Sequence, residues 1–538
     1  MQRTTEPYLR DLEFHGFIEG LTYKEKSSSK PLAHYFGGIP YALPPIGPFR
    51  WQRPRPLPSC FRYGTRANPG RYNGGCSHCP QPQPNDDIDA ALWDEDCLQC
   101  NIWIPAGDPP KEGWPVLFWI HGGFLQFGSP NEDDPVAMLS ETSCKVIIVS
   151  PAYRLNIFGF LASRELCESP GLDAAANVGF WDQRLALEWT HKNISYFGGD
   201  ASNITIAGYS AGSHSTFHQL AYDLGVSDSK SIVRRAMMFS NGPGMQPKSF
   251  DEGQVQFDEL IQALNISQDL SPAEKIAKLR TLEPKKLIQA TIRMKYHQFR
   301  AVTDGSFVRH GLLNELDNGV FARQMKRRGI KLIIGECKDE HFMYGIWRPP
   351  KNSLDSLFRR LQADYSLAAC EALIGHYYPD GKLPADCKDW PDAFGRIYAD
   401  IQIHHLERGM VNALVHHGAG DLIYRYRIEW RAQCCDKQWP RDWGVTHGTD
   451  MAIWFWGDGK HLSKKEKKLI KAAFHYNLAK FVNGKELDWG TKEPRHIRTL
   501  TPRGTIVYEE DKRLEKGLQV WEVLKRVGAT GKLVGAKL

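Results

Sequence analysis

The chain has 538 residues, of which 42% are hydrophobic and 24% are charged, and its formal net charge at pH 7 is +6. This composition is ordinary for a soluble globular protein. The charge excess is small for this length, and the lysine-rich segment at 464–468 is interpreted as a solvated helix face, so no nucleic-acid partner is expected.

The first twenty residues contain no apolar core placed between basic residues and a small-residue cleavage site, so a secretory signal is not expected. No uninterrupted apolar run reaches the length needed to cross a bilayer, so stable membrane insertion is not expected either. These features predict a cytoplasmic protein. The last three residues, Ala536-Lys537-Leu538, resemble a peroxisomal signal of the Ser-Lys-Leu type, so the peroxisome is the alternative location.

Short apolar runs recur along the chain, and each ends at a glycine, serine or histidine. Continuous rather than alternating hydrophobicity is typical of strands that are covered on both faces. The clearest runs are 116–120, 146–149, 204–207, 237–239, 332–334 and 422–424, and helix-like stretches lie at 180–191, 210–220 and 255–264. This alternation predicts an α/β fold with a mostly parallel central sheet flanked by helices.

Two segments, 245–330 and 350–400, are more charged and more helix-like than the rest of the chain. We expect them to be helical insertions that form a lid or a pocket wall. No internal repeat, low-complexity tract or long linker interrupts the sequence. We therefore expect one catalytic domain spanning 1–538, although length alone would allow more than one.

The motif Gly208-Tyr209-Ser210-Ala211-Gly212 is the strongest candidate for a catalytic element. A bare Gly-x-Ser-x-Gly is weak evidence, because chance supplies about 0.2 copies in a chain of this composition. Here an apolar strand leads directly into Gly208 and a helix-like segment follows Ser210. A strand, a sharp turn and a helix in this order indicate a nucleophile elbow, in which a strained turn presents the serine hydroxyl above the sheet.

A glycine pair follows the apolar run at 116–120 and is typical of a loop that stabilises an oxyanion. The predicted oxyanion hole comprises Gly122, Gly123, Phe124 and Ala211. The backbone N–H groups of Gly123, Phe124 and Ala211 are its expected donors, and the start of the helix after Ser210 adds a positive dipole end.

A base and an acid are also available in the order that this fold requires. Glu340 follows the apolar run at 332–334, and His447 lies between glycines in a later loop, so the order is nucleophile, acid, histidine. Asp339 is the main competitor for the acid. For any single histidine the ordinary interpretation is a surface or core residue, and only its position in the pattern distinguishes His447.

Six sequence blocks resemble the type-B carboxylesterase, lipase and cholinesterase family over nearly the whole chain. The blocks occur in the family's order at 36–42, 48–51, 95–102, 153–160, 182–189 and 197–200, the last shortly before the elbow. The resemblance implies the α/β-hydrolase fold and assigns Ser210, Glu340 and His447 as a catalytic triad, with acyl transfer in two steps. It implies no metal or organic cofactor.

The chain departs from the family pattern near the predicted nucleophile. Phe124 stands where the family often has glycine or alanine, and Tyr209 replaces a common glutamate. With Leu125 and His341 they are the candidate substrate-pocket residues. The alternative for Phe124 is a place in the core, and the alternative for His341 is that of a structural neighbour. Asp87 stands where cholinesterases carry their choline-binding tryptophan, which argues against a cholinesterase.

The twelve cysteines are expected to be mostly reduced, buried thiols. The spacing of Cys76, Cys79, Cys97 and Cys100 fits a four-thiolate zinc site. The family resemblance instead implies a disulfide between Cys97 and an upstream cysteine, as in secreted members. Free thiols or a disulfide from Cys76 or Cys79 to Cys97 are preferred, and no metal site is predicted.

These observations favour a serine hydrolase that acts on a small-molecule carboxylic ester, with an apolar or bulky substrate. The same acyl-enzyme would also serve an acyltransferase or a lactone-forming biosynthetic enzyme, since only the exclusion of water at deacylation separates them. A non-catalytic binding protein, which the family also contains, is disfavoured because Ser210, Glu340 and His447 are all present.

Overall fold

The computed structural model describes residues 2–83, 87–167, 175–491 and 493–531. The peroxisome-like tripeptide at 536–538 lies outside these ranges. None of the helices within them combines the length and the hydrophobicity that crossing a bilayer requires.

The strands carry the apolar runs noted in the sequence. In the described ranges they are β1 (Arg3–Asp11), β2 (Phe17–Glu25), β3 (Pro31–Pro40), β4 (Gly70–Arg71), β5 (Gln99–Pro105), β6 (Trp114–Ile120), β7 (Ile147–Pro151), β8 (Gly199–Tyr209), β9 (Val233–Phe239), β10 (Lys248–Ser249), β11 (Val302–Thr303), β12 (Lys331–Cys337), β13 (Ile423–Ile428), β14 (His496–Leu500) and β15 (Ile506–Glu510).

The helices lie between and after these strands. They are α1 (Val136–Glu141), α2 (Asn156–Phe160), α3 (Arg164–Cys167), α4 (Val178–Asn193), α5 (Ala211–Gly225), α6 (Phe250–Ala263), α7 (Pro272–Thr281), α8 (Pro284–Arg293), α9 (Asn314–Asp317), α10 (Val320–Arg328), α11 (His341–Tyr344), α12 (Leu354–Asp364), α13 (Leu367–Tyr377), α14 (Trp390–Ala399), α15 (His405–His416), α16 (Met451–Trp454), α17 (Lys464–Ile470), α18 (Tyr476–Val482) and α19 (Leu514–Lys525).

One large sheet organises the chain, with strand order β1-β2-β3-β5-β7-β6-β8-β9-β12-β13-β14-β15 and with β4 paired to β2. The strands from β7 through β6, β8, β9, β12 and β13 to β14 are parallel. The pairs β1–β2, β2–β3, β3–β5, β5–β7 and β14–β15 are antiparallel, and the short β4 pairs with β2 in parallel. The mostly parallel α/β sheet that the sequence predicts is thus confirmed.

The continuous hydrophobicity of β6 follows from its place in the middle of this sheet. Val116, Phe118 and Ile120 pack in the apolar cluster on one face, whereas Leu117 and Trp119 pack in the cluster on the other. Successive strand residues point to opposite faces, so a strand covered on both sides must be apolar at every position.

The segments 245–330 and 350–400 contain short helices rather than strands of the large sheet. The first holds α6 to α10 and the small β10–β11 ladder, and the second holds α12 to α14. Residues of both segments line a cavity that also touches Ala211, at the start of α5. Their helices therefore reach the neighbourhood of the predicted nucleophile.

A buried ion pair joins the segment after β7 to helix α4. The Nε and Nη2 atoms of Arg154 donate to the carboxylate of Asp182 at 2.8 and 2.7 Å, and the backbone N–H of Arg154 donates to it at 3.0 Å. Both side chains are almost completely buried. Removing one charge from such a pair leaves the other without compensation in a medium of low polarity.

We expect Asp182→Asn to lower the free energy of unfolding by about 3–5 kcal/mol, because the buried Arg154 guanidinium loses its counter-charge. The measurement is the midpoint of thermal unfolding. The matched control is Asp251→Asn, which breaks the exposed Arg164–Asp251 pair and should cost less than about 1 kcal/mol. Equal losses in the two variants would contradict this account.

Candidate active site

The predicted nucleophile lies in a tight turn between β8 and α5. Ser210 has φ +57° and ψ −124°, a backbone conformation that non-glycine residues rarely adopt. Its N–H donates to the carbonyl of Phe239 on β9 at 2.9 Å, and its carbonyl accepts from the N–H of His214 at 3.1 Å. These two hydrogen bonds hold the turn between the neighbouring strand and the following helix.

The glycines on either side of the turn are required by close backbone approach. A Cβ atom on Gly212 would lie 1.9 Å from the carbonyl oxygen of Ile120, at the end of β6. A Cβ atom on Gly208 would lie 2.2 Å from the carbonyl oxygen of Gly212. No side chain fits at either position, so the motif's two glycines follow from the packing of strand against helix.

The structure brings Glu340 and His447 together although they are far apart in sequence. The His447 Nδ1 atom lies 2.6 Å from Oε2 of Glu340, and the N–H of Cys337 donates to Oε1 of the same carboxylate at 2.7 Å. Glu340 is completely buried. With Nδ1 engaged, the other ring nitrogen, Nε2, is buried and without a hydrogen-bond partner among the described residues.

Asp339, the competitor of Glu340, has a different place. Its N–H donates to the carbonyl of Val445 at 3.0 Å, and its carboxylate accepts from the N–H of Val445 at 3.0 Å. This pair of hydrogen bonds ties the loop after β12 to the loop that carries His447. Asp339 thus holds the two loops in register and does not contact the imidazole.

The loop after β6 is a tight turn with unusual backbone angles. Gly123, Phe124 and Leu125 have φ values of +101°, +58° and +63°. The carbonyl of Gly123 accepts from the N–H groups of Gln126 and Phe127 at 2.8 and 3.0 Å, which closes the turn. Within the described ranges the N–H groups of Gly123 and Phe124 donate no hydrogen bond, so both remain available to a ligand.

Ala211 supplies the third predicted donor. It is the first residue of α5, and the N–H groups of the first helical turn have no partner inside the helix. The N–H of a residue at this position also lies at the positive end of the helix dipole, which favours a developing negative charge.

An aromatic cluster surrounds Phe124; its other members are Phe127, Tyr344, Trp347 and Tyr398. Phe124 stacks on Trp347 with ring centroids 5.1 Å apart and meets Tyr344 edge-on at 5.6 Å. Phe124 is only 7% exposed. The side chain is therefore buried, as the alternative of a core position expected. The cluster in which it packs nevertheless extends to His447, as expected of a residue near the pocket.

Tyr344 connects this cluster to the predicted triad residues. Its ring lies 4.9 Å from that of His447, and its hydroxyl lies beside the Ser210 side chain. Burial raises the pKa of Tyr344 well above the usual value, so the hydroxyl keeps its proton. Tyr344 was not among the residues predicted from the sequence; the available signal was its position four residues after Glu340, one helical turn along.

The other candidate pocket residues separate into two places. Tyr209 lies with its ring 4.7 Å from that of His447, and Leu125 borders a cavity with Ala211. His341 does not join them. It lines a different cavity, of about 540 Å³, together with His376 and other residues, and burial lowers its pKa.

The cysteine pairing excludes a four-thiolate site. Cys79 and Cys97 form a disulfide, whereas Cys76 and Cys100 are free, buried thiols. Because two of the four sulfurs are bonded to each other, they cannot both serve as thiolate ligands. In the ranges that the structure describes, no group of histidine, cysteine and acidic side chains is arranged to hold a metal ion.

Comparisons with known proteins agree with this architecture. Residues 8–514 match the model of the carboxylesterase family. A carboxylic ester hydrolase of Gibberella moniliformis is 47% identical over 529 residues, and the match covers 96% of each chain. An uncharacterized esterase/lipase of Schizosaccharomyces pombe is 39% identical, again over 96% of each chain.

More distant relatives extend the same comparison. Acetylcholinesterase 1 of Caenorhabditis elegans is 27% identical over 81% of this chain and 72% of its own length. The solved structure of Aspergillus niger EstA superposes with a TM-score of 0.72 at 20% identity, covering 96% of this chain and 98% of its own, which shows a shared α/β-hydrolase fold. The chain therefore belongs to the carboxylesterase family, as an enzyme of the carboxylic-ester hydrolase class.

Proposed function

We propose that the protein hydrolyses a carboxylic ester through an acyl-enzyme formed on Ser210. The observation that carries this proposal is the buried hydrogen bond of 2.6 Å between His447 Nδ1 and Glu340. It fixes the imidazole so that Nε2 has no competing partner among the described residues. A histidine oriented by a buried carboxylate is the base that a serine nucleophile needs.

In the first step, the Oγ of Ser210 attacks the ester carbonyl carbon while Nε2 of His447 takes the hydroxyl proton. The carbonyl oxygen becomes an oxyanion, which accepts hydrogen bonds from the N–H groups of Gly123, Phe124 and Ala211. The carbon–oxygen bond to the alcohol then breaks, and the imidazolium returns its proton to the leaving oxygen. In the second step, water repeats the sequence and releases the acid.

Glu340 stabilises the imidazolium that forms in both steps. Its carboxylate is buried and accepts from the N–H of Cys337 through the oxygen that does not face the ring. The side chain is therefore fixed, and no solvent reorganisation is needed when the positive charge appears on His447. Asp339 supports the same arrangement indirectly by joining the two loops.

The aromatic cluster supports an ester with an apolar or bulky part. Phe124 contributes a predicted backbone donor to the oxyanion loop and a ring to the apolar wall, so one residue belongs to both parts of the site. Aromatic surfaces of this size favour apolar groups by excluding water. Tyr344 brings this wall to within 4.9 Å of the His447 ring, and the ring of Tyr209 lies 4.7 Å from the same imidazole.

We expect Ser210→Ala to reduce kcat/KM by at least about 10⁴-fold on a panel of aryl and alkyl esters, because the acyl-enzyme can no longer form. A fluorophosphonate should label the wild type and leave this variant unlabelled. Ser227→Ala, which changes an exposed serine after α5, is the control and should behave as the wild type. Turnover that requires an added alcohol would contradict hydrolysis.

Glu340→Gln should lower kcat by about 10³–10⁴-fold, because an uncharged amide no longer stabilises the imidazolium or fixes its tautomer. Asp339→Asn is the matched comparison on the neighbouring residue. It keeps an oxygen that can accept from the N–H of Val445, so we expect a loss of less than about tenfold. The measurement is kcat of both variants on one ester. A larger loss in Asp339→Asn than in Glu340→Gln would assign the role of the acid to Asp339.

Phe124→Ala should widen the tolerance for long acyl chains, because it removes the ring between Trp347 and Tyr344 while keeping the backbone donor. We expect kcat/KM for an octanoate ester, divided by that for the acetate, to rise about tenfold. Phe14→Ala, at an exposed phenylalanine, is the control. Identical chain-length profiles for the wild type and Phe124→Ala would refute this role of the ring.

A further inference from the structure

A small cavity of about 50 Å³ lies beside the predicted oxyanion donor Ala211. Leu125, from the oxyanion loop, forms another part of its wall. Arg300 and Asp364, from the two helical insertions, and Gln402 also line it. A space of this size holds one or a few water-sized groups, so it suits a small polar group and excludes a long acyl chain.

The charges at this cavity do not balance. Asp364 is 1% exposed and pairs with two guanidinium groups: Arg300 contacts one carboxylate oxygen at 2.7 Å, and Arg360 contacts the other. Lys248 is a third cation near Asp364, and its Nζ donates to the backbone carbonyls of Gln362 and Ala363 at 2.8 and 3.0 Å. Two arginines share one carboxylate, so one positive charge remains in excess. Burying such a charge without a counter-ion is unfavourable.

The carboxylate that is present stays ionised. Burial alone would raise the pKa of Asp364, but the adjacent Arg300 and Arg360 outweigh burial and lower it. The remaining polar side chains of the cavity bring no negative charge. Asn241 and Gln402 are amides, and burial lowers the pKa of His214 to about 4, so that its ring is neutral at pH 7.

Arg300 is fixed against the oxyanion loop. Its Nη2 donates to the hydroxyl of Tyr398 at 2.8 Å, and its guanidinium carbon lies 5.8 Å from the centre of the Phe124 ring. The side chain of Gln126 donates to the carbonyl of Phe299, the residue before Arg300, at 2.6 Å. Among the described residues, Nη1 of Arg300 has no hydrogen-bond partner, so this donor is available at the cavity.

We propose that Arg300 forms an anion subsite that binds a carboxylate of the ester substrate. The proposal rests on the ester hydrolysis proposed above and names its substrate class: an ester that also carries a free carboxylate, such as the half-ester of a dicarboxylic acid or an acylated hydroxy acid. A guanidinium suits this role because its donors match a carboxylate and it does not lose its proton. The bound carboxylate supplies the missing negative charge.

The test compares charged esters with neutral esters of the same shape. Monomethyl glutarate is paired with the methyl ester in which a methyl ketone replaces the free carboxylate. The acetate ester of γ-hydroxybutyrate is paired with its own methyl-ketone analogue. The first pair places the carboxylate on the acyl side and the second on the alcohol side. We expect the wild type to prefer the charged member of at least one pair by about tenfold or more in kcat/KM.

Arg300→Met should reduce this preference by at least about tenfold, and Arg300→Lys should reduce it less, because it keeps the charge but not the fork of donors. The control is Arg359→Met, at an exposed arginine next to Arg360 that pairs with Asp355, and it should keep the wild-type preference. If Arg300→Met fails to fold, the test uses Arg300→Lys instead: its kcat/KM for the charged ester, divided by that for the neutral ester, is compared with the wild-type value. A salt series on the wild type accompanies it. Raising NaCl from about 20 mM to about 500 mM should lower kcat/KM for the charged ester of each pair and leave that for the neutral ester unchanged.

The outcomes separate this inference from the proposed function. Turnover of neutral esters with no preference for a carboxylate, or with a preference that the Arg300 variants leave unchanged, would overturn the anion subsite and leave ester hydrolysis intact. No turnover of any ester and no phosphonate labelling of Ser210 in the wild type would overturn both. A carboxylate preference that follows Arg300 and weakens with salt would support the subsite.

Discussion

The close backbone contact between the start of α5 and the end of β6 is the constraint on which the site depends. With no side chain on Gly212, the helix approaches Ile120 so closely that a single added carbon would overlap its carbonyl oxygen. This approach places Ser210, the N–H of Ala211 and the loop that follows Ile120 side by side. The strained turn at Ser210 is stabilised by this packing and by the hydrogen bond to β9.

The second requirement is that two distant loops meet at the same edge of the sheet. Glu340 follows β12 and His447 comes more than a hundred residues later, yet one buried hydrogen bond joins them. The paired hydrogen bonds between Asp339 and Val445 hold the two loops together next to this contact. Backbone registration thus sets the imidazole's position, and the carboxylate sets its orientation and tautomer.

The sequence predicts the parts of this molecule that local patterns determine. Strands covered on both faces are apolar at every position, so the central sheet and the elbow at Ser210 were recognisable. Side-chain neighbours that depend on how the insertions fold were not. Arg300, in the first insertion, carries no motif, and the contact of Tyr344 with His447 depends on how the loop after β12 packs. His341 lines another cavity, which its place beside Glu340 in the sequence did not indicate. The Cys79–Cys97 pairing was one of several alternatives that spacing alone left open.

Under the two roles proposed above, the helical insertions separate recognition of the substrate from the reaction itself. The proposed nucleophile and acid directly follow strands of the large sheet, whereas Arg300 and Asp364 come from segments outside it. Changes in those segments leave the strand–turn–helix packing at Gly212 untouched. The sheet can therefore hold Ser210, Glu340 and His447 in place while the insertions set the shape and the charge of the neighbouring cavity.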